Sequence, residues 1–159
     1  MRALVLVFLC AACASALPVR KELSPLAWMI GDWSCETKSL DTGSVETAQF
    51  RFFPELGGAW IGGTMLVQGR GKEPLFELIT HLGLDRDGRW TRVDVDGSGR
   101  VKMLQASTAG DSTLWSPPTD EGAFRERIER KGDARWDASI DVREKAAWTP
   151  AITFVCQRK

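Results

Sequence analysis

Along most of the chain, apolar and polar residues alternate with a period of two rather than 3.6. Trp136, Ala138, Ile140 and Val142 alternate with Asp137, Ser139, Asp141 and Arg143. That is the pattern of a strand with one buried face, and it predicts Asp137, Asp141 and Arg143 in water. Phe76, Leu78, Thr80, Leu82 and Leu84 share one side of another run, with Glu77, Ile79 and His81 on the opposite side. Thr91, Val93 and Val95 alternate with Arg92, Asp94 and Asp96, and Ile152, Phe154 and Cys156 share one side of the last run. Because the period is two, a slip of one residue would turn every assignment inside out.

Turn chemistry punctuates these runs. Thr42-Gly43, Leu56-Gly57-Gly58, Asp85-Arg86-Asp87-Gly88, Asp96-Gly97-Ser98-Gly99, Ala109-Gly110-Asp111 and Lys131-Gly132-Asp133 each place glycine beside other turn-compatible residues. Such sites accept positive φ and close hairpins. Counting between them gives about nine or ten short strands. The connections are too short for parallel crossovers, which need a dozen residues or more, so the order is up-and-down and antiparallel. One helical signal precedes the strands. Ser24 can cap, Pro25 suits a first helical position, and Leu26 to Ile30 follow before Gly31 stops the turn.

The first residues read as an export signal. Arg2 supplies a positive start, Ala3 to Ala14 is apolar, and Ala14-Ser15-Ala16 offers a small-x-small cleavage site. The run is shorter than the roughly 20 apolar residues that span a bilayer. The expected division is a signal peptide over residues 1–16 and one barrel domain over 17–159. Lipidation at Cys13 is the weaker alternative, because Cys10 stands where an aliphatic residue is wanted. The protein is expected in the periplasm or outside the cell.

Charge narrows the function classes. The chain holds 21 basic and 21 acidic residues, and loss of Arg2 with the signal leaves an excess of one acid. This balance speaks against a nucleic-acid binder or a polybasic membrane-surface protein. Of four cysteines, only Cys35 and Cys156 remain after cleavage. An exported chain with two cysteines is expected to pair them. Cys35 shares the phase of Trp33, near the first strand, and Cys156 lies on the last. A bond between them is easiest if those strands are neighbours, which favours a closed barrel over a sandwich.

Leu26-Ala27-Trp28-Met29-Ile30-Gly31-Asp32-Trp33 resembles the start of calycin-type barrels, where a short helix runs into a Gly-x-Trp whose Trp plugs one end. Phe53 to Gly58, Leu82-Gly83-Leu84-Asp85 with Trp90, and Asp94 to Gly99 resemble, in order, segments of an uncharacterised bacterial family of secreted lipocalin-like proteins. The resemblance spans most of the mature chain. It implies a lipocalin-like barrel and no particular ligand, since the family has no agreed function.

Candidate chemistry is sparse. His81 is the sole histidine, so no Ser-His-Asp engine can be built without it. It falls on an outward phase. Nitrobindin-like barrels, which this architecture resembles, place a haem-ligating histidine near the chain end, and none stands there; no haem or other cofactor is expected. Asp94 to Gly99 partly fits a calcium loop, but Gln105 occupies the twelfth place where a glutamate is needed, and an Asp-Gly hairpin is the better reading. No metal site is expected. The pairs Asp85/Asp87 and Asp94/Asp96 are expected on loop tips, where water screens them. Glu126, between Phe124 and Ile128, is the one acid on an apolar phase.

Seven tryptophans and no tyrosine mark the chain. Most should fill the core, yet a barrel of this size can hold one small ligand against aromatic walls. Trp60, Met65, Met103, Trp115, Phe124 and Trp136 are the candidate lining residues. The expected function is a non-enzymatic barrel binding a small apolar molecule. The alternatives are a solidly packed module working through an outer face, or an enzyme using a carboxylate in the barrel mouth.

Overall fold

A computed structural model describes residues 18–69, 74–119, 124–145 and 147–159; the proposed signal peptide lies outside them. The architecture is a single closed antiparallel barrel of ten strands in up-and-down order. The strands are β1 (Gly31–Ser39), β2 (Val45–Glu55), β3 (Trp60–Gln68), β4 (Pro74–Leu84), β5 (Trp90–Asp96), β6 (Val101–Thr108), β7 (Ser112–Ser116), β8 (Phe124–Arg130), β9 (Arg135–Glu144) and β10 (Ala147–Arg158). Each pairs with its sequence neighbours, and β1 pairs with β10 to close the ring.

Closure brings Cys35 directly opposite Cys156, and the two form a disulfide with Cα atoms 4.0 Å apart. Both cysteines are buried on the inner face with Trp33. The hairpin tips behave as their composition dictates. Gly88 and Gly99 take positive φ, while Asp85 Oδ1 and Asp96 Oδ1 each accept the backbone N–H groups two and four residues on. The segment Asp96–Gly99 is thus a hairpin turn.

The N-terminal helix departs from expectation. It runs over Lys21–Met29 as a 3₁₀ helix, with Pro25 inside it and no side-chain cap from Ser24. Its buried residues explain the form. Leu23, Leu26 and Met29 recur every third position, and the three-residue turn stacks them on one side. That side closes one end of the barrel. Arg20 N–H donates to the Gly58 carbonyl and Trp28 Nε1 donates to the Gly110 carbonyl, tying the helix to two turns at that end.

Trp33 seals the floor above the helix. Its Nε1 donates to the Met29 carbonyl at 2.7 Å, and the Arg158 guanidinium lies 4.3 Å from its ring centre. Arg158 also donates to the Trp28 and Ile30 carbonyls, which the short helix leaves without backbone partners in a strand. Gly31 is required here: its φ is +134°, and a Cβ would lie 2.5 Å from the Arg158 guanidinium.

The phase of β9 is as its pattern predicts, with Trp136 and Ala138 buried and Ile140 turned to the interior. Asp141 corrects the expectation that it stands in water. It sits on the outer face yet is buried, because Arg125 covers it at 2.9 Å and is itself stacked on Trp148 at 4.6 Å. The outer face also carries a row of apolar residues. Ile79, Val95 and Val101 pair in one row across β4, β5 and β6, with Val93 and Met103 beside them. Ile79, Val101 and Met103 are all more than half exposed.

Candidate functional site

The interior holds a cavity of about 130 Å³. It reaches from Met29 of the closing helix, past Phe50, Phe52, Phe154 and Trp136, to Phe76, Asp96, Arg100 and Lys102 beside the β5–β6 turn. The β5–β6 turn and the closing helix lie at opposite ends of the strands. The volume is close to the roughly 150 Å³ of an engineered apolar cavity that admits benzene, and below the several hundred cubic ångströms of a typical drug-sized pocket. It suits one ring.

Aromatic packing builds the lower wall. Phe50 stacks on Phe52 at 6.0 Å and meets Trp136 and Phe154 edge to face at 5.3 and 6.1 Å. Met65 of β3 faces Phe50 across the sheet and adds a deformable thioether.

The opposing wall is polar, and this corrects the placing of Asp94 on a water-screened loop tip. Strand β5 turns Arg92, Asp94 and Asp96 inward, and Arg92 and Asp94 are buried. Thr80 Oγ1 donates to Asp94 Oδ1 at 2.6 Å. Arg92 Nη2 serves two carboxylates, Asp94 Oδ2 at 2.9 Å and Glu126 Oε2 at 2.5 Å. Burial works against the Arg92 charge, but Glu126 and then Asp94 outweigh it, so the guanidinium is held more firmly protonated than usual. Its plane lies 5.4 Å from the Trp115 ring centre. Asp94 and Glu126 come from β5 and β8, which are not adjacent, so Arg92 reaches across the barrel rather than along the sheet.

At the rim, Asp96 pairs with Arg100 at 2.8 Å. Its pKa is lowered to about 2, chiefly by the hydrogen bond from the Ser98 hydroxyl, with the Arg100 and Ser98 N–H groups adding to it. Lys102 Nζ lies 5.0 Å from the Phe124 ring centre and is exposed.

The six candidate lining residues divide. Met65, Phe124 and Trp136 line the cavity. Trp115 is fully buried and packs behind Arg92, off the cavity wall. Trp60 lies on the outer face, its ring over Gly83, where a Cβ would come within 2.5 Å of it. Met103 is also on the outer face and more than half exposed, since the inner phase of β6 belongs to Lys102 and Leu104. Glu126 is on the cavity as its apolar phase indicates, and His81 is outward, paired with Glu55 at 2.7 Å. Arg92 and Asp94 were missed because their partner Glu126 lies 34 residues from Arg92. No group of three or more metal-ligating side chains gathers among the described residues.

No protein-family model matches the chain, and no curated protein matches it. A search of solved structures finds the crystal structure of Rv2717c from M. tuberculosis, with a TM-score of 0.66 over 89% of this chain and 99% of that one. The two are 16% identical. The likeness is one of fold.

Proposed function

We propose that this chain is an exported lipocalin-like barrel that binds, without catalysis, one small and largely apolar molecule inside the barrel. The observation that carries the reading is the cavity: aromatic and aliphatic on one wall, with a pinned polar cluster on the other. A few placed polar groups in an apolar hollow are what ligand sites have in common. The carboxylates Asp94 and Glu126 serve as counter-ions to Arg92, a role in recognition rather than in proton transfer. The disulfide supports export to an oxidising compartment, and no described helix is long and apolar enough to cross a membrane. Native mass spectrometry of protein purified from its host should find an adduct of small-molecule mass that is lost on denaturation. A bare chain that also fails to bind any of a panel of single-ring compounds would overturn the proposal.

The apolar row Ile79, Val95 and Val101 favours a second reading, a module that works through its outer face. Under it, Ile79→Lys would abolish partner capture and leave the thermal midpoint nearly unchanged.

A further inference from the structure

The charge inside the cavity is not balanced at depth. Two carboxylates, Asp94 and Glu126, share one guanidinium, and both contacts converge on the single nitrogen Nη2. Neither pair is the two-nitrogen fork that neutralises a carboxylate best. Arg92 Nε is buried and has no hydrogen-bond partner among the described residues, so the cation is only partly used. Asp94 is satisfied on both oxygens, by Thr80 and by Arg92. Glu126 is not: Oε2 is taken by Arg92, and Oε1 has no hydrogen-bond partner among the described residues. The nearest other cations on the wall are spoken for or distant. Arg100 is paired with Asp96, and Lys102 rests on the Phe124 ring at the rim.

Glu126, its side chain 16% exposed, therefore presents an unpaired carboxylate oxygen to the cavity, and a positive group entering there would complete it with a charge-assisted hydrogen bond. The rest of the wall suits the same guest, because the faces of Phe50, Phe52, Phe124 and Trp136 attract cations as well as apolar rings. We propose that the guest is a small organic cation, an apolar ring or short chain bearing a protonated amine, whose ammonium is taken by Glu126 and whose body fills the aromatic wall. The inference rests on the ligand-binding reading above and names its ligand class. An anionic guest is disfavoured at depth, where two carboxylates already face one guanidinium.

Three probes of one size separate the possibilities: benzylamine, toluene and benzoate, titrated into the mature, disulfide-bonded protein by calorimetry at neutral pH and low salt. Benzylamine should bind about tenfold or more tighter than toluene, and benzoate weakest of the three. Glu126→Gln, which keeps the shape of the side chain, should erase the ratio between benzylamine and toluene. Circular dichroism and the thermal midpoint report whether that variant folds, and the probe order on the unaltered protein stands without it. Equal binding of all three overturns the amine proposal and leaves the ligand-binding reading intact. Benzoate binding tightest overturns it in favour of Lys102 at the rim. A ratio that survives in Glu126→Gln removes Glu126 as the recogniser. Binding of none of the three sinks both readings together.

Discussion

Arg92 shows how one residue can hold a wall together while looking, in sequence, like a surface charge. Its neighbour Asp94 is buried with it and Glu126 is half-buried, so removing the guanidinium leaves a buried carboxylate without its cation and a second carboxylate facing it. Arg92→Met should therefore cost about 3–5 kcal/mol in urea unfolding, the range for breaking a buried pair. Glu126→Gln should cost less than about 1 kcal/mol, because it removes the surplus charge rather than its counter-ion. A near-neutral Arg92→Met would show that the cluster is hydrated. At the rim, Asp96 gives a prediction in pH. Its folded pKa, about 2, lies below the ordinary 3.8, so its contribution is present above pH 4 and is lost as pH falls from there towards 2. A carboxyl titration of Asp96 by NMR should have its midpoint near 2, and Asp96→Asn should flatten that part of the stability profile.

At the level of strands, legibility depended on whether the partner was local. The phases of β4, β9 and β10 were readable because one side of each is plainly apolar. Cys35 and Cys156 were readable because only closure could bring them together. On β5 the sides are Val and Thr against Arg and Asp, and water would ordinarily claim the charged side. The interior claims it instead, because Glu126 waits across the barrel, and the valines go to the outer face beside Ile79 and Val101. Asp141 is hidden by Arg125 and Trp148 in the same way: an outward phase does not mean exposure once a long side chain lies over it. Gly83 gives a test of one strand contact. Gly83→Ala pushes a Cβ into the Trp60 ring, which should cost about 1–3 kcal/mol, and Trp60→Ala in the same chain should recover part of the loss.

The molecule as a whole is a ring with one seam. Nine of its ten strand pairings join sequence neighbours, and only β1 with β10 spans the chain. The disulfide lies on that seam across 121 residues. In the chain-entropy model a loop of this length is worth about 5 kcal/mol, so reduction, or Cys35→Ala with Cys156→Ala, should lower stability by an amount approaching that. Hydrogen exchange should quicken first in β1 and β10. Uniform quickening in every strand would show instead that the barrel opens only as a unit.

That single long-range pairing also sets a clock. Hairpins can form as neighbouring strands meet, on a scale of microseconds, but β1 keeps an open edge until the last strand arrives. An unpaired edge is a template for other chains, so the interval before closure is when this protein is most exposed to aggregation. The oxidised chain carries its two ends already tethered, and the search for the final pairing is shortened in advance. If the seam forms at the rate-limiting step, the oxidised protein refolds faster than the reduced one and the two unfold at similar rates; if it forms afterwards, the difference appears almost wholly in unfolding.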